Sequence, residues 1–347
     1  MRKSKNFREI KRYEPVVCPV CGSADFNQLF YITERTIVEC NNCRHEYVNP
    51  VPVFVSVDNY YFPSPEEDAL NTSIDLVYIT KILKKYGLMN GRMLDLGCGR
   101  GRLVQGLTGA GWAPQNLYLM DYSNISLDHA KKKYKSVNII ERDINEGIGV
   151  RNYFDCILMV EFFEHFPYPG KVSAKVLDAL KPGGVLIIKG IPNNRSFESF
   201  IAGESWKMRR SVTHYSFFNL DTFGMLAKQY SSMKILEFGT FLQEGYCFYN
   251  LARIAKDIGI ITSSKGNGKH ETYEGEISCT DDLTGLVLAK LKSLNIDDYW
   301  YRDRLPLRQF ADLANVVDLE SFFDKIHLDY YLSPDFSVVA RKCENDD

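Results

Sequence analysis

A chain of 347 residues with 45% hydrophobic and 13% aromatic content can bury one large core and a small accessory module. A formal net charge of −2 gives no global basic field of the kind that draws a protein onto nucleic acid. No run approaches the roughly 18 continuous apolar residues of a membrane-spanning helix, so no membrane partner is expected. Residues 1–12 are basic but lack an apolar stretch, which reads as a solvated flexible tail rather than a secretory leader. The nine cysteines are an odd number. Four of them form a pattern of their own, and others such as Cys98 and Cys156 sit in apolar runs, as small buried thiols do in a reducing cytoplasm.

The first module covers residues 13–55. It carries Cys18-Pro-Val-Cys21-Gly22 and Cys40-Asn-Asn-Cys43, with 18 residues between the pairs. Two such pairs at this separation suit a tetrahedral site of four thiolates, Cys18, Cys21, Cys40 and Cys43, around a structural zinc. Two short strands, 26–32 and 36–38, complete a zinc ribbon. A unit of this size has too little core to fold unaided, so the metal supplies folding energy. A single CxxC pair would admit a redox dithiol; two matched pairs favour metal. With four thiolates present, His45 is expected on the surface. After the ribbon, Tyr60-Tyr61-Phe62-Pro63 forms an aromatic linker. Tyr60 or Tyr61 is a candidate to close over a ligand, and pinning one module to the next is the plainer role. A helix opening with Pro65 follows, with Leu70, Ile74, Val77, Tyr78 and Ile82 at helical spacing and Gly87 just past its end.

Residues 91–101 organise the rest. Met93-Leu94-Asp95-Leu96 ends a buried strand, Gly97, Gly99 and Gly101 permit a tight turn, and a helix begins at Arg102. Strand, glycine turn and helix in that order mark the ligand end of a doubly wound α/β sheet. The spacing is GxGxG; a dinucleotide fingerprint needs its third glycine where Arg102 stands. Strands over 117–120, 137–140, 154–160 and 185–189 alternate with helices over 125–134 and 170–180. Asp121 ends the second of these strands, about 20 residues beyond the turn, where a carboxylate accepts both hydroxyls of a ribose. Asp143-Ile144 follows the third strand and Glu161-Phe-Phe-Glu164-His165-Phe-Pro167 the fourth, and Lys181-Pro-Gly-Gly184 links the last helix to its strand.

Asp95-Leu96-Gly97-Cys98-Gly99-Arg100-Gly101 resembles motif I of the class I S-adenosylmethionine (SAM)-dependent methyltransferases. The Glu164-His165 pair and the Lys-Pro-Gly-Gly turn resemble later motifs of that family, and the match runs in order from Gly91 to Pro192. The resemblance implies a Rossmann-like seven-stranded sheet in the order 3-2-1-4-5-7-6, built from residues 56–242 and 335–347. Its seventh, antiparallel strand would be 336–342, and 243–334 would be a mainly helical insertion between the last two strands, with helices around 251–258, 283–294 and 307–323. It also implies that SAM lies on Asp95, Gly97, Gly99, Gly101, Asp121, Tyr122 and Glu161. Asp143 would face the adenine amino group, Ile144 would pack on the ring, and Tyr61 would cover the cofactor. A cysteine-rich unit before such a domain also resembles the deoxysugar C-methyltransferases. Those enzymes carry a longer C-terminal domain, so their substrate does not transfer.

Methylating a hydroxyl or an acidic carbon requires a base, and Glu164, His165 and His214 are the candidates. The plainer roles are a hydrogen-bonded strand end for His165 and a loop anchor for His214. Arg195, Arg209 and Arg210, in the loop 192–218, suit a phosphate or carboxylate of the acceptor, although arginines in loops are commonly just solvated. The expected function is methyl transfer to a small molecule, such as a sugar, nucleotide-sugar or related glycan or secondary-metabolite precursor, by a cytoplasmic monomer or homodimer. RNA methylation using the ribbon for contact is the alternative, against which the near-neutral charge counts. A scaffold that only keeps the fold is disfavoured by the intact glycine turn with Asp95, Asp121 and Asp143.

Overall fold

Four cysteines, each followed within a few residues by a backbone reversal, set the shape of the N-terminal module. In the computed structural model, which describes residues 10–54, 65–196, 199, 203–239, 262–264, 272–274 and 335–343, the chain divides into two compact units. The first holds residues 1–192, 207–239 and 335–347. The second holds 193–206 and 240–334.

In the first unit, β1 (Ile10–Glu14) will pair with a later strand, and β2 (Phe26–Ile32) and β3 (Arg35–Cys40) form an antiparallel hairpin. Its two-residue turn places Thr33 and Glu34 at φ of 50° and 62°, the left-handed geometry that matches the strands' twist. The two cysteine knuckles repeat one device. Gly22 (φ 75°) and Arg44 (φ 63°) are left-handed, and each donates its N–H to the first cysteine of its pair, Cys18 or Cys40, at 2.9 Å. A third strand, β4 (Glu46–Val48), extends the hairpin, and β5 (Val51–Phe54) pairs with β1. The sequence reading missed β4, whose three residues are too few to show a period.

Next, α1 (Pro65–Lys85) buries Tyr78, Ile79, Ile82 and Leu83. Val77, placed on the apolar face by the sequence reading, is 52% exposed, because the buried stripe is centred on Tyr78 and Ile79 and Val77 lies off it. Gly87 closes the helix at φ 67°, as expected of a C′ residue. Then come β6 (Met93–Leu96), α2 (Val104–Gly109), β7 (Leu117–Asp121), α3 (Asn124–Lys133), β8 (Asn138–Glu141), β9 (Phe154–Val160), α4 (Pro169–Ala179) and β10 (Leu180–Pro192). The Lys181-Pro-Gly-Gly184 turn is absorbed into β10 as an irregularity: the register against β9 slips between Leu180 and Val185, with Gly183 at φ 74°.

The predicted loop 192–218 contains a short helix α5 (Lys207–Arg210) and a two-residue strand β11 (Ser216–Phe217), followed by α6 (Leu220–Ala227) and β12 (Met233–Gly239). Strand β11 joins the ribbon rather than the large sheet, pairing Ser216 with Tyr47 and Phe217 with Glu46. The second unit's described residues include β13 (Thr262–Ser264) and β14 (Thr272–Glu274), an antiparallel pair. The helices expected around 251–258, 283–294 and 307–323 lie outside the described residues. Finally β15 (Asp335–Lys342) inserts antiparallel between β10 and β12.

The large sheet therefore runs β8-β7-β6-β9-β10-β15-β12. Counted by order of appearance this is 3-2-1-4-5-7-6, the order expected. Strands β6 to β10 are parallel. The inner ones, β6, β9 and most of β10, are buried on both faces and read as apolar runs, whereas β8 lies at the sheet edge and is only partly buried. All five point their carboxyl ends to one edge, where the glycine turn, Asp121, Glu161 and Glu164 collect.

Candidate active site

The glycine turn is held from below and open above. The N–H groups of Gly97 and Cys98 donate to the Met120 carbonyl at 2.8 and 3.2 Å, tying the turn to β7. A Cβ at Gly97 would stand 2.2 Å from the Phe162 ring, whereas one at Gly99 would meet nothing within 4 Å. Asp121 is 8% exposed and doubly fixed. Its Oδ2 accepts the Gly99 N–H at 3.0 Å and its Oδ1 the Ser123 N–H at 2.9 Å. Each oxygen keeps a second lone pair. Burial raises its pKa while these amides pull it down. Asp143 accepts the Asn145 N–H at 2.8 Å and caps a short turn in which Ile144 is buried. Tyr122, beside Asp121, is 46% exposed. Asp95 is buried beneath the turn, and burial drives its pKa up to about 7 against the opposing charge of Arg102. Tyr61 lies outside the described residues. An open turn flanked by a fixed carboxylate and a second capped aspartate fits an adenosine whose ribose and base need hydrogen-bond acceptors.

A buried charge network, not foreseen from sequence, borders this turn. Arg102 meets Asp75 of α1 at 2.5 Å, and the other Asp75 oxygen lies 2.6 Å from the Lys189 ammonium on β10. Two cations on one carboxylate anchor α1 to the carboxyl edge of the sheet. The available signal was an aspartate on the helix's apolar face and a lysine inside an apolar strand, both improbable unless paired. Glu161, just past β9, is left-handed at φ 51° and lies 3.9 Å from Arg102. A strained non-glycine at a strand end is common where side chains must be aimed at a ligand.

The three candidate bases come together. Glu164 Oε1 lies 3.8 Å from His165 Nε2 and 3.9 Å from His214 Nε2, and the two rings meet edge to face at 5.0 Å. His165 Nδ1 is 2.9 Å from the Thr213 carbonyl. A carbonyl only accepts, so Nδ1 carries a hydrogen and Nε2 is the ring nitrogen turned towards Glu164. Burial, reinforced by Glu161 and Asp335, raises the Glu164 pKa well above its ordinary value. Burial, then the charges of His165, Arg35 and Lys207, holds the His214 pKa well below its own. Both shifts oppose charge, biasing Glu164 towards its protonated form and His214 towards its neutral form. Of the three groups, the histidine nitrogens turned towards Glu164 are the better placed to accept a proton.

Two expectations about surface residues fail. Arg209 is buried and paired with Glu46 of the ribbon, Nη2 to Oε2 at 2.8 Å, with its guanidinium 4.9 Å over Phe30. Arg210 is exposed. His45 is 0% exposed, 4.6 Å from Phe218 and stacked on Tyr47, and burial pushes its pKa down to about 3. The four cysteine sulfurs all lie within 4.8 Å of one another, with Cys18 to Cys43 and Cys21 to Cys40 both at 3.5 Å. Bonds of ~2.3 Å to a tetrahedral zinc would set sulfurs ~3.8 Å apart. None of the four is in a disulfide. The donor set fits that ion.

Comparison with known proteins agrees with the strand order. Residues 70–240 match the family described as methyltransferase domain, and the sheet that they build has the class I strand order. Among curated relatives, a ubiquinone biosynthesis O-methyltransferase of Bradyrhizobium sp. (strain ORS 278) is 32% identical over 121 residues, 34% of this chain and 47% of that one. The enzyme of the same name from Shewanella sp. (strain ANA-3) is 28% identical over 117 residues, 33% of this chain and 49% of that one. The chain thus spans about half the length of the curated relatives it matches. Among solved structures, a SAM-dependent methyltransferase from Archaeoglobus fulgidus is 15% identical with a TM-score of 0.43, covering 77% of this chain and 94% of that one.

Proposed function

We propose that this protein methylates a small-molecule acceptor of the sugar, nucleotide-sugar or related glycan or secondary-metabolite precursor class. The observation that carries the reading is the convergence, on one sheet edge, of an open glycine turn, the fixed Asp121 carboxylate and the Glu164–His165–His214 group. SAM, when bound, supplies an electrophilic methyl on a sulfonium. Asp121 takes the ribose hydroxyls, Asp143 and Ile144 hold the adenine, and Asp95 supports the turn from below. The histidines accept the proton that the acceptor's nucleophilic atom must lose. A neutral histidine suits a hydroxyl, and the curated relatives are O-methyltransferases by name, which favours oxygen as the atom methylated. The cysteine tetrad holds a structural zinc, since four thiolates leave no open position for chemistry. A screen of nucleotide sugars, free sugars and transcribed RNA with labelled SAM tests the acceptor. Label passing to RNA and to none of the sugars would overturn the reading.

Asp121→Ala is expected to weaken S-adenosylhomocysteine binding by about 1–3 kcal/mol, since it removes acceptors for two hydroxyls and frees the Gly99 amide. Isothermal calorimetry measures this directly. Equal affinity in the variant would place the ribose elsewhere.

A further inference from the structure

The ribbon touches the loop that carries His214 through one side chain whose chemistry is otherwise hard to explain. Arg35 opens β3 and is 1% exposed. Its Nη1 donates to the His214 carbonyl at 2.9 Å and its Nη2 to the Arg209 carbonyl at 2.8 Å. Its Nε has no acceptor among the described residues. No carboxylate forms an ion pair with it among the described residues; the nearby Glu46 is taken by Arg209. Burying a guanidinium without a counter-charge is costly, and an apolar side chain would fill such a place more cheaply. What the fork achieves is to hold two carbonyls, five positions apart, one in α5 and one in the loop segment after it. That segment is fixed at further points: Tyr215 N–H donates to the Glu164 carbonyl at 2.9 Å, and Thr213 accepts from His165. At its far end β3 finishes in Cys40 of the tetrad, so six residues connect the thiolates to the guanidinium.

We infer that Arg35 is a positioning residue: by donating to the Arg209 and His214 carbonyls, it holds the segment from which His214 faces Glu164. The inference rests on the reading of His214 as part of the methyl-transfer site. It gives the ribbon a role in that site, with the metal clamping β3 and β3 aiming the loop.

The test uses the full zinc-loaded chain with isotope-labelled histidine, its His214 ring signals assigned through His214→Asn. The ring is faced by Glu164, His165, Arg35 and Lys207, so loss of the Arg35 charge alone would raise its pKa. Arg35→Lys separates the effects. It keeps the charge but replaces a two-pronged fork by one ammonium. We expect Arg35→Lys and Arg35→Met both to retain one zinc per chain and S-adenosylhomocysteine affinity within about twofold, by calorimetry. We expect His214 to titrate about one unit or more nearer its ordinary value in Arg35→Met and to move in the same direction in Arg35→Lys. A His214 titration in Arg35→Lys identical to the unsubstituted chain would overturn the proposal by leaving only a charge effect. Loss of zinc or of nucleoside binding in Arg35→Lys would overturn it too, by making Arg35 a general folding residue. Failure of the unsubstituted chain to bind S-adenosylhomocysteine would instead sink the cofactor reading, and the histidine titration would still judge Arg35.

Discussion

Replacing His214 with Asn is expected to lower turnover by about 10²–10⁴-fold while leaving S-adenosylhomocysteine affinity nearly unchanged, the signature of a group that acts on the acceptor's proton. Asn fills part of the same space and stays polar, so the fold should tolerate it. Glu164→Gln keeps the shape of the carboxyl without its charge and should cost less than His214→Asn, because burial already disfavours the charged carboxylate. The pH profile gives a second readout. A histidine held well below its ordinary value stays neutral as pH falls through ~6.5, so activity should persist there and decline only at lower pH. The stability sign follows: the unfolded chain binds a proton that folded His214 refuses, so this group costs stability as pH falls through the unfolded value. Near-native turnover for His214→Asn, with the acid limb unmoved, would return His214 to the rank of loop anchor.

Cys40→Ser should remove the metal and unfold the ribbon. Apparent binding energies for structural zinc are ~10–16 kcal/mol, more than a module of this size can replace by packing. The damage should have a defined reach. Strands β2 to β4 should lose hydrogen-exchange protection, and so should β11 and the segment Arg35 holds, because these are bonded to the ribbon. The parallel strands β6 to β9 share a separate core and should keep theirs. Elemental analysis of freshly purified, unchelated protein checks the premise: substoichiometric metal there would sink the four-thiolate assignment.

Much of the fold was legible because it is local. Buried parallel strands are apolar runs, and Gly97 and Gly101 stand where the chain must turn left-handed. Cys18, Cys21, Cys40 and Cys43 announce themselves by spacing, and the structure brings them together. What was missed is long-range pairing. Arg209 reads as solvated because most loop arginines are; its partner Glu46 lies 163 positions away. Arg35 bonds to carbonyls 174 and 179 positions off. His45 was assigned to the surface because it was unneeded as a ligand, whereas Phe218, far along the chain, closes over it. The same holds for Asp75 and Lys189, each unremarkable until α1 lies against β10. In the candidate site, motif order was enough to set the glycine turn and Asp121 at one sheet edge. That Glu164, His165 and His214 form one group required the fold.

The most direct test of the central claim is a calorimetric titration of the purified chain with S-adenosylhomocysteine, repeated with NAD. The account predicts one nucleoside site per chain for the first and no heat for the second, since Arg102 occupies the place of the third dinucleotide glycine and is bound to Asp75. Binding of NAD, or no binding of S-adenosylhomocysteine by the zinc-loaded protein, would contradict it.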